Sequence, residues 1–269
     1  MSVITISRGS FSGGKMLAEC ISKALGYRCV DREVIVERAA AHGVSQEELR
    51  DALQKPPSFL DRFQHRKYLY LALIQAALSE EVRTGKAVYH GNAGHLLLKG
   101  GPHILRVRII APVDFRLKMA QARLKLSRGE ALDYITAMDQ DRRKWTQYLY
   151  GVDWGDPALY DIVLNLEFMD LTEACNTVCT LARQRCFEFT GCCQAAMNDL
   201  VLASRVRAEL ALAYPTSHLE FEVTSKAGSV HIRGKAPGPR EISEVRRIAE
   251  AVPGVVELNL DELTSPVHA

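Results

Sequence analysis

The chain has 269 residues, of which 47% are hydrophobic and 25% are charged, and its formal net charge is +2. This composition is typical of a globular protein with one large domain or two ordinary ones, and it lacks the strong basic excess of nucleic-acid-binding proteins. No apolar run approaches the ~20 residues of a membrane helix, and no basic-then-apolar segment opens the chain. We therefore expect a cytoplasmic protein with no integral membrane segment and no nucleic-acid partner.

The first predicted elements are a strand at residues 3–7 and a helix at residues 15–25, joined by a loop rich in glycine and serine. This loop fits seven of the eight positions of the phosphate-loop pattern G-x-x-x-x-G-K-[ST], with methionine at the eighth. Backbone N–H groups and the positive helix terminus favour phosphate there, although a tight turn with an exposed lysine would read similarly. The predicted nucleotide-binding residues are Gly9, Ser10, Ser12, Gly13, Gly14, Lys15 and Met16.

The remainder of the first 190 residues alternates apolar runs with helical patterns. Strands are predicted at residues 87–90, 104–110 and 161–166, with an extended segment at 27–30. Helices are predicted at residues 31–42, 46–53, 65–84, 92–99, 113–126, 128–148 and 171–185. Because strands separated by helices form parallel sheets, we predict an α/β domain with helices on both faces of its sheet.

A boundary is predicted at residues 189–196, where Thr190 and Gly191 end the helical pattern. A helix at 199–213, strands at 219–224 and 229–233, a helix ending at 251 and a strand at 255–260 follow. The chain is therefore predicted to contain two domains, residues 1–190 and residues 197–265, the second a small α+β unit of order α-β-β-α-β.

Five of the seven cysteines fall between Cys175 and Cys193. In a cytosolic protein we expect thiols rather than a disulfide framework, with Cys175, Cys179 and Cys186 packed on one helix face. The adjacent pair Cys192 and Cys193 could be redox-active or bind metal, but without a C-x-x-C pair no metal site is predicted.

Three segments resemble the cytidylate kinase-like family, a branch of the nucleoside monophosphate kinases. They are ITISRGSFSGGKMLAECISKALGYRCVDREVI, VRIIAPVDFR, and MDQDR followed by YGVDWGDPALYDIVLNL, and they span nearly all of residues 1–185. The resemblance implies a P-loop NTPase-type fold and an enzyme that uses ATP and Mg²⁺. Members of this branch often lack Ser or Thr after the basic residue, so Met16 is consistent with the family.

The resemblance also implies roles for individual residues. Lys15, Arg142 and Arg143 are the expected catalytic residues, the two arginines as part of a lid, with Arg116, Lys118 and Arg123 as weaker candidates. From periodicity alone, the arginine-rich helix at residues 128–148 is better explained as a solvated face with ion pairs between successive turns. Asp31 and Asn92 are expected near the acceptor nucleotide, although Asp31 could also cap the following helix. Asn92 stands where the family usually has arginine, and its amide cannot neutralise a phosphate.

Residues 206–210, VHIRG at residues 230–234 and IAEAVPGV at residues 248–255 carry a second resemblance. On these segments residues 201–263 resemble the BON domain, which implies a small-molecule or lipid ligand there and leaves a homo-oligomer open. The first hypothesis is an ATP-dependent phosphotransferase of the cytidylate-like kinase type with a nucleotide substrate and a regulatory BON module. The rival is a non-catalytic nucleotide sensor that signals through that module. A third, weaker hypothesis is a redox- or metal-responsive protein built on the cysteine cluster.

Overall fold

The computed structural model describes residues 2–54, 64–101 and 103–264. Met1 and Ser265, at the ends of the two predicted domains, lie outside these residues. The larger sheet contains β1 (Val3–Arg8), β2 (Arg28–Asp31), β3 (Ala87–His90), β4 (Ile104–Ile110) and β5 (Ile162–Asn165). All its strand pairs are parallel, in the order β2-β3-β1-β4-β5, which confirms the predicted parallel sheet.

The helices that accompany this sheet follow the predicted positions closely. They are α1 (Gly14–Leu25), α2 (Arg32–Ala40), α3 (Gln46–Gln54), α4 (Gln64–Glu81), α5 (Gly94–Leu97), α6 (Val113–Leu124), α7 (Arg128–Tyr150) and α8 (Leu171–Ala182). Helix α5 is shorter than predicted at both ends. It begins only after Ala93, whose φ of 52° is not helical.

Side chains alternate between the two faces of each strand, and both faces are covered by helices. Val3 and Tyr89 pack on one face with residues of α2, α3 and α4. Ile4, Ile6 and Val107 pack on the other face with residues of α1 and α8. The helices therefore lie on both sides of the sheet, as the alternating pattern predicts.

A second, smaller domain contains a mixed sheet. Its strands are β6 (Phe221–Lys226), β7 (Ser229–Lys235), β8 (Glu257–Asn259) and β9 (Leu263–Thr264), of which β9 was not predicted. Strands β6 and β7 are antiparallel, whereas β8 and β9 both pair in parallel with β7. The parallel pairing requires a crossover, which α10 (Pro239–Glu250) supplies.

Most of the predicted boundary at residues 189–196 is helical, because α9 (Gly191–Leu212) begins well before the helix predicted at residues 199–213. Thr190 has extended backbone angles and precedes the helix, so Thr190-Gly191 starts a helix instead of ending one. Met197 of α9 is buried in the core of the larger sheet. Leu202 and Val206 of the same helix are buried in the core of the smaller sheet. One helix therefore contributes to both cores.

The cysteine predictions need two corrections. Cys20 of α1 and Cys175 of α8 form a disulfide, whereas only free thiols were expected. Their separation of 155 residues in the chain gave no local signal for this contact. Cys186 is exposed and lies in a 3₁₀ turn (Arg185–Phe187), so it does not share a helix face with Cys179, which is buried.

Candidate functional site

The candidate site lies where the carboxyl end of β1 turns into α1, and we refer to residues 9–15 as the phosphate loop. Gly13 precedes the helix with a φ of 81°, in the left-handed region that glycine adopts readily. At Gly14 a Cβ would lie 1.9 Å from Cδ of Arg8, so no larger residue fits without moving that arginine. The first N–H groups of α1 have no partner within the helix, which favours an anion at this terminus.

Two serine hydroxyls of the phosphate loop are buried and unpaired. Ser10 and Ser12 are 5% and 1% exposed, and neither Oγ has a hydrogen-bond partner among the described residues. A buried polar group without a partner costs free energy, so these hydroxyls are available to a bound ligand. The interior of the loop therefore fits a group with several acceptor oxygens, such as a phosphate.

Lys15 and Met16 lie on the outer surface of α1. The Nζ atom of Lys15 is 3.7 Å from Oε1 of Glu19, one helical turn later, and its side chain is 63% exposed. Met16 is also exposed and carries no oxygen that could bind a metal ion. In this conformation neither side chain reaches into the loop.

A carboxylate from α7 fastens the phosphate loop to the α6–α7 hairpin. Asp139 Oδ1 accepts a hydrogen bond from the backbone N of Ser10 (2.9 Å), and Oδ2 accepts one from Arg116 Nη2 (2.5 Å). Arg116 Nε in turn donates to the backbone O of Ser10 (2.8 Å). Ser10 is thus held at both its N–H and its carbonyl by side chains of two helices.

Arg142, one turn further along α7, reaches the last residue of β1, directly before the phosphate loop. Its Nη1 donates to the backbone O of Arg8 (3.0 Å) and lies 3.7 Å from Asp139 Oδ1. Its Nε is buried and has no partner among the described residues. Arg116 and Arg142 therefore both lie beside the carboxylate of Asp139, and the positive charge of Arg142 also acts on Arg8. The cluster of these three arginines and Asp139 carries an excess of positive charge.

The pKa values of Arg8 and Arg142 reflect that crowding. Burial, followed by the positive charge of Arg142, lowers the pKa of Arg8 to about 10. Burial is also the largest cause of the lowered pKa of Arg142; Asp139 opposes the shift and Arg116 adds to it. Because each cation disfavours the charged form of its neighbour, an anion between them would be stabilised.

Arg143 does not belong to this cluster. It is exposed, and its Nε lies 3.8 Å from Oδ1 of Asp153 on the solvent side of α7. Since successive residues of an α-helix point about 100° apart, Arg142 and Arg143 cannot both face the loop. Lys118 and Arg123 of α6 are exposed as well.

Phe11 provides an apolar connection between the phosphate loop and the hairpin. Its φ of 60° places it in the left-handed region, which is unfavourable for a residue with a bulky side chain. Its ring meets Tyr134 of α7 edge to face, with centroids 6.1 Å apart, and packs against the core between α6 and α7. Phe11 thus joins the phosphate loop to the α6–α7 hairpin through apolar contacts.

The predicted acceptor residues lie at the carboxyl ends of β2 and β3, but both side chains have structural partners. Asp31 Oδ1 accepts from the backbone N of Val34 (3.0 Å) and caps α2, which is the alternative that the sequence offered. Asn92 Nδ2 donates to the backbone O of Leu53 at the end of α3 (2.7 Å). Burial lowers the pKa of neighbouring His90 to about 4, so this imidazole is neutral.

The segment YGVDWGDPALYDIVLNL builds a polar and aromatic support for the end of β1. Trp154 Nε1 donates to Ser7 Oγ (2.8 Å), which also lies 3.1 Å from the hydroxyl of Tyr160. Arg108 of β4 lies over the Trp154 ring, 4.1 Å from its centroid, and donates to the Trp154 carbonyl. These bonds hold the strand from which the phosphate loop leaves.

Arg8 and Asp139 are the residues of this site that the sequence did not single out. Both lie inside motifs that were recognised, Arg8 in the Ser-Arg pair before the loop and Asp139 in MDQDR. For Arg8, its position directly before the predicted phosphate loop was a signal that it could contact a bound phosphate. The packing of α7 against the end of β1 decides the surroundings of both residues, and it could not be read from spacing.

No group of three or more His, Cys, Asp or Glu side chains that could hold a metal ion occurs among the described residues. Cys192 and Cys193 lie at the start of α9, with their sulfurs 2.8 and 3.1 Å from the hydroxyl of Thr190. No helix in the described part of the chain is both long and apolar enough to cross a membrane.

Comparison with known proteins places this site in a family context. Residues 3–167 match the model of the cytidylate kinase-like family. A cytidylate kinase of Pyrococcus horikoshii is 27% identical over 164 residues, which is 61% of this chain and 79% of that protein. One of Ignicoccus hospitalis is 28% identical over 173 residues, 63% of this chain and 92% of that protein. The structure of an uncharacterized protein from Eubacterium ventriosum is similar in fold, with a TM-score of 0.55 at 17% identity, covering 69% of this chain and all of that one.

Proposed function

This chain belongs to the cytidylate kinase-like family, and we propose that it transfers a phosphoryl group from ATP to a nucleoside monophosphate. ATP phosphates would bind at the phosphate loop, and the acceptor would dock near Asp31 and Asn92. The observation that carries the proposal is the convergence of Arg8, Arg116 and Arg142 on that loop. Phosphoryl transfer needs cations around the transferred group, because negative charge is spread over its oxygens.

The residues of the phosphate loop would bind and orient the phosphates. The N–H groups at the start of α1 and the unpaired hydroxyls of Ser10 and Ser12 donate hydrogen bonds to phosphate oxygens. Lys15 turns from Glu19 toward the bound phosphates, a change that an exposed side chain makes at low cost. Arg116 and Arg142 neutralise charge and exclude water through the α6–α7 hairpin. ATP supplies the transferable group, and Mg²⁺ supplies further positive charge on the phosphates.

The residues present fit the phosphates better than they fit a directly bound metal ion. Met16 replaces the hydroxyl that ligates Mg²⁺ in the general pattern. Asp139 is the carboxylate of the cluster, and its two oxygens already accept hydrogen bonds from Ser10 and Arg116. We therefore assign no protein ligand to Mg²⁺, which phosphate oxygens and water would hold.

The acceptor phosphate would be neutralised by arginine from β1 and α7. Asn92 is uncharged and already bonded to Leu53. Arg8, Asn92 and Arg142 line one small cleft beside the phosphate loop. In this proposal Arg8 supplies the charge that Asn92 lacks.

Turnover with a panel of acceptors tests the proposal. The protein is incubated with ATP, Mg²⁺ and each nucleoside monophosphate in turn, and the ADP formed is measured. We expect ADP formation that depends on the acceptor and that Lys15→Ala abolishes. ADP formation no faster with any acceptor than with ATP alone would contradict the kinase.

A non-catalytic nucleotide sensor is the second candidate, supported by the engagement of Asn92 with Leu53 and by Met16. Helix α7 offers a route for signalling. It carries Asp139 and Arg142 at the phosphate loop, and its last residues, Leu149 and Tyr150, line a cavity beside the smaller sheet. ATP binding without turnover on any acceptor supports this function over the first.

We also propose that residues 197–265 form a BON-like module that binds a small molecule or a lipid. The order α9-β6-β7-α10-β8 agrees with the α-β-β-α-β order of that domain. Co-sedimentation of the whole protein with vesicles of phosphatidylcholine, with and without phosphatidylglycerol, tests the lipid ligand. Light scattering of the same samples measures whether the protein is a homo-oligomer.

A further inference from the structure

A cavity of about 690 Å³ lies where α4, α9 and β6 meet, between the larger and the smaller sheet. One edge of this cavity is held by Tyr68 of α4. Its hydroxyl donates to the backbone O of Phe221 (2.8 Å) and accepts from the backbone N of the same residue (3.0 Å). The first residue of β6 is thereby fixed to α4, so the cavity has a defined wall on both sides.

Arg207 of α9 lies in this cavity and is held by uncharged neighbours. Its Cζ is 4.7 Å from the centroid of the Tyr68 ring, and its Nη1 donates to Gln75 Oε1 (2.7 Å). Gln75 is held in turn by a bond from Nε2 to the Leu97 carbonyl (3.1 Å). Within the part of the chain that the structure describes, no carboxylate forms an ion pair with Arg207. The guanidinium is therefore oriented but not neutralised.

Three further polar atoms around the cavity are buried without a partner among the described residues. They are the Nε of Arg207, the hydroxyl of Ser204, one turn earlier on α9, and the hydroxyl of Ser225 on β6. Ser204 is only 2% exposed. A buried donor without a partner is unfavourable, so a cluster of such donors facing one cavity indicates a missing acceptor.

The carboxylates around this cavity do not supply that acceptor. Asp199 accepts a hydrogen bond from the backbone N of Ala227 (2.7 Å). Glu222 lies 3.6 Å from Arg233 on the outer face of the sheet. Glu220 is exposed at the rim, where water solvates its charge.

We propose that this cavity binds a small organic oxyanion, a carboxylate or a phosphate, through Arg207, Ser204 and Ser225. The apolar body of the ligand would pack against Tyr68 and Tyr150, which also line the cavity. Its volume falls within the ~300–1,000 Å³ that is typical of small-molecule sites. Such a ligand contacts both domains and would fix their relative position.

Calorimetric titration of the full chain tests this site with defined probes: phenyl phosphate, benzoate, inorganic phosphate, and uncharged benzamide. We expect phenyl phosphate or benzoate to bind and benzamide not to bind. Arg207→Gln should weaken that binding by at least about tenfold, because hydrogen bonds to charged groups contribute ~1.5–3 kcal/mol. Arg205→Gln is the matched control, since Arg205 lies on the same helix but is exposed and paired with Glu80 (2.6 Å).

The phosphate loop can also bind phosphate, so the two sites are separated by their variants. Lys15→Ala should weaken binding at the phosphate loop and leave binding at the site of Arg207 unchanged. Arg207→Gln should have the opposite effect. If the protein proved not to be a kinase, binding at the site of Arg207 would still be measurable. Equal affinity in Arg207→Gln and the unaltered protein, or no binding of either aromatic anion at millimolar concentration, overturns the proposal. If Arg207→Gln does not fold, the affinity of Ser204→Ala for the same probes is measured instead. Weaker binding is expected, and unchanged binding would contradict the proposed site.

Discussion

Replacing Arg142 by glutamine tests whether the arginine cluster at the phosphate loop performs phosphoryl transfer. Arg142 has a side chain only 16% exposed and donates to the backbone of Arg8, whereas that of Arg143 is 65% exposed and faces solvent. Glutamine keeps the length of the side chain approximately and removes its charge. The two adjacent arginines therefore form a matched pair in which one is in the site and the other is not.

The expected loss follows from the position of Arg142. Removing one preorganised donor from a site where negative charge develops lowers kcat by ~10²–10³. Stability should change less, because the lost hydrogen bond to Arg8 contributes about 1 kcal/mol and repulsion between the two arginines is relieved. Arg143→Gln loses an exposed ion pair worth ~0–1 kcal/mol and should leave kcat within a factor of about three.

The assay measures initial rates of ADP formation over a range of ATP and acceptor concentrations, with melting temperatures for each variant. A lower kcat at an unchanged melting temperature is the expected result for Arg142→Gln. The reasoning is refuted if Arg143→Gln loses as much activity as Arg142→Gln. It is also refuted if Arg142→Gln keeps the kcat of the unaltered protein.

Three other predictions concern the loop, the disulfide and the pH dependence. Gly14→Ala places a Cβ 1.9 Å from Cδ of Arg8, so we expect at least about tenfold weaker binding of a fluorescent ATP analogue. Cys20→Ser removes the crosslink between α1 and α8 and should lower the free energy of unfolding by ~2–4 kcal/mol in non-reducing buffer. Burial lowers the pKa of His95 from 6.5 to about 4, so the unfolded chain binds more protons in that range. Stability should therefore fall as the pH drops from about 6.5 to about 4, and His95→Gln should reduce this slope in urea titrations.

Each of these has a control. Gly129→Ala lies in the first turn of α7, where a Cβ meets nothing within 4 Å, and should leave nucleotide binding unchanged. With dithiothreitol, the unaltered protein and Cys20→Ser should melt alike; identical melting without it would show that the crosslink contributes nothing. His218 is exposed, so His218→Gln is the control for His95→Gln. If His218→Gln reduced the dependence of stability on pH as much as His95→Gln does, the buried imidazole of His95 would not be its cause.

Local sequence patterns were sufficient to predict the larger sheet. The strands read as short apolar runs between helical patterns, and buried parallel strands require that composition. Gly13 and Gly14 likewise carried their own signal, because the positive φ at Gly13 and the close approach of Arg8 to Gly14 disfavour larger residues there. The capping role of Asp31 was also readable, since an N-cap is decided by the residues next to it.

The contacts between distant segments were not readable in this way. Asp139 and Ser10 are 129 residues apart, and only the placement of α7 across the phosphate loop brings them together. The same holds for Cys20 and Cys175, and for Asn92, whose amide is taken up by Leu53. The sequence predicted that Thr190-Gly191 ends a helical pattern, but α9 begins there. The same two residues can end one helix or begin another, and the packing of α9 into both cores determines the outcome.

The sequence by itself determined the parallel α/β sheet, the phosphate loop at its first strand, and a second small unit after it. These follow from periodicity and from glycine positions, which act over a few residues. Only the tertiary structure decided which charges are buried together. Folding brings Arg116 and Arg142 beside Asp139 and next to Arg8, whereas Arg207 has no carboxylate partner among the described residues. Burial of a charge depends on the whole fold, so no local pattern can record it.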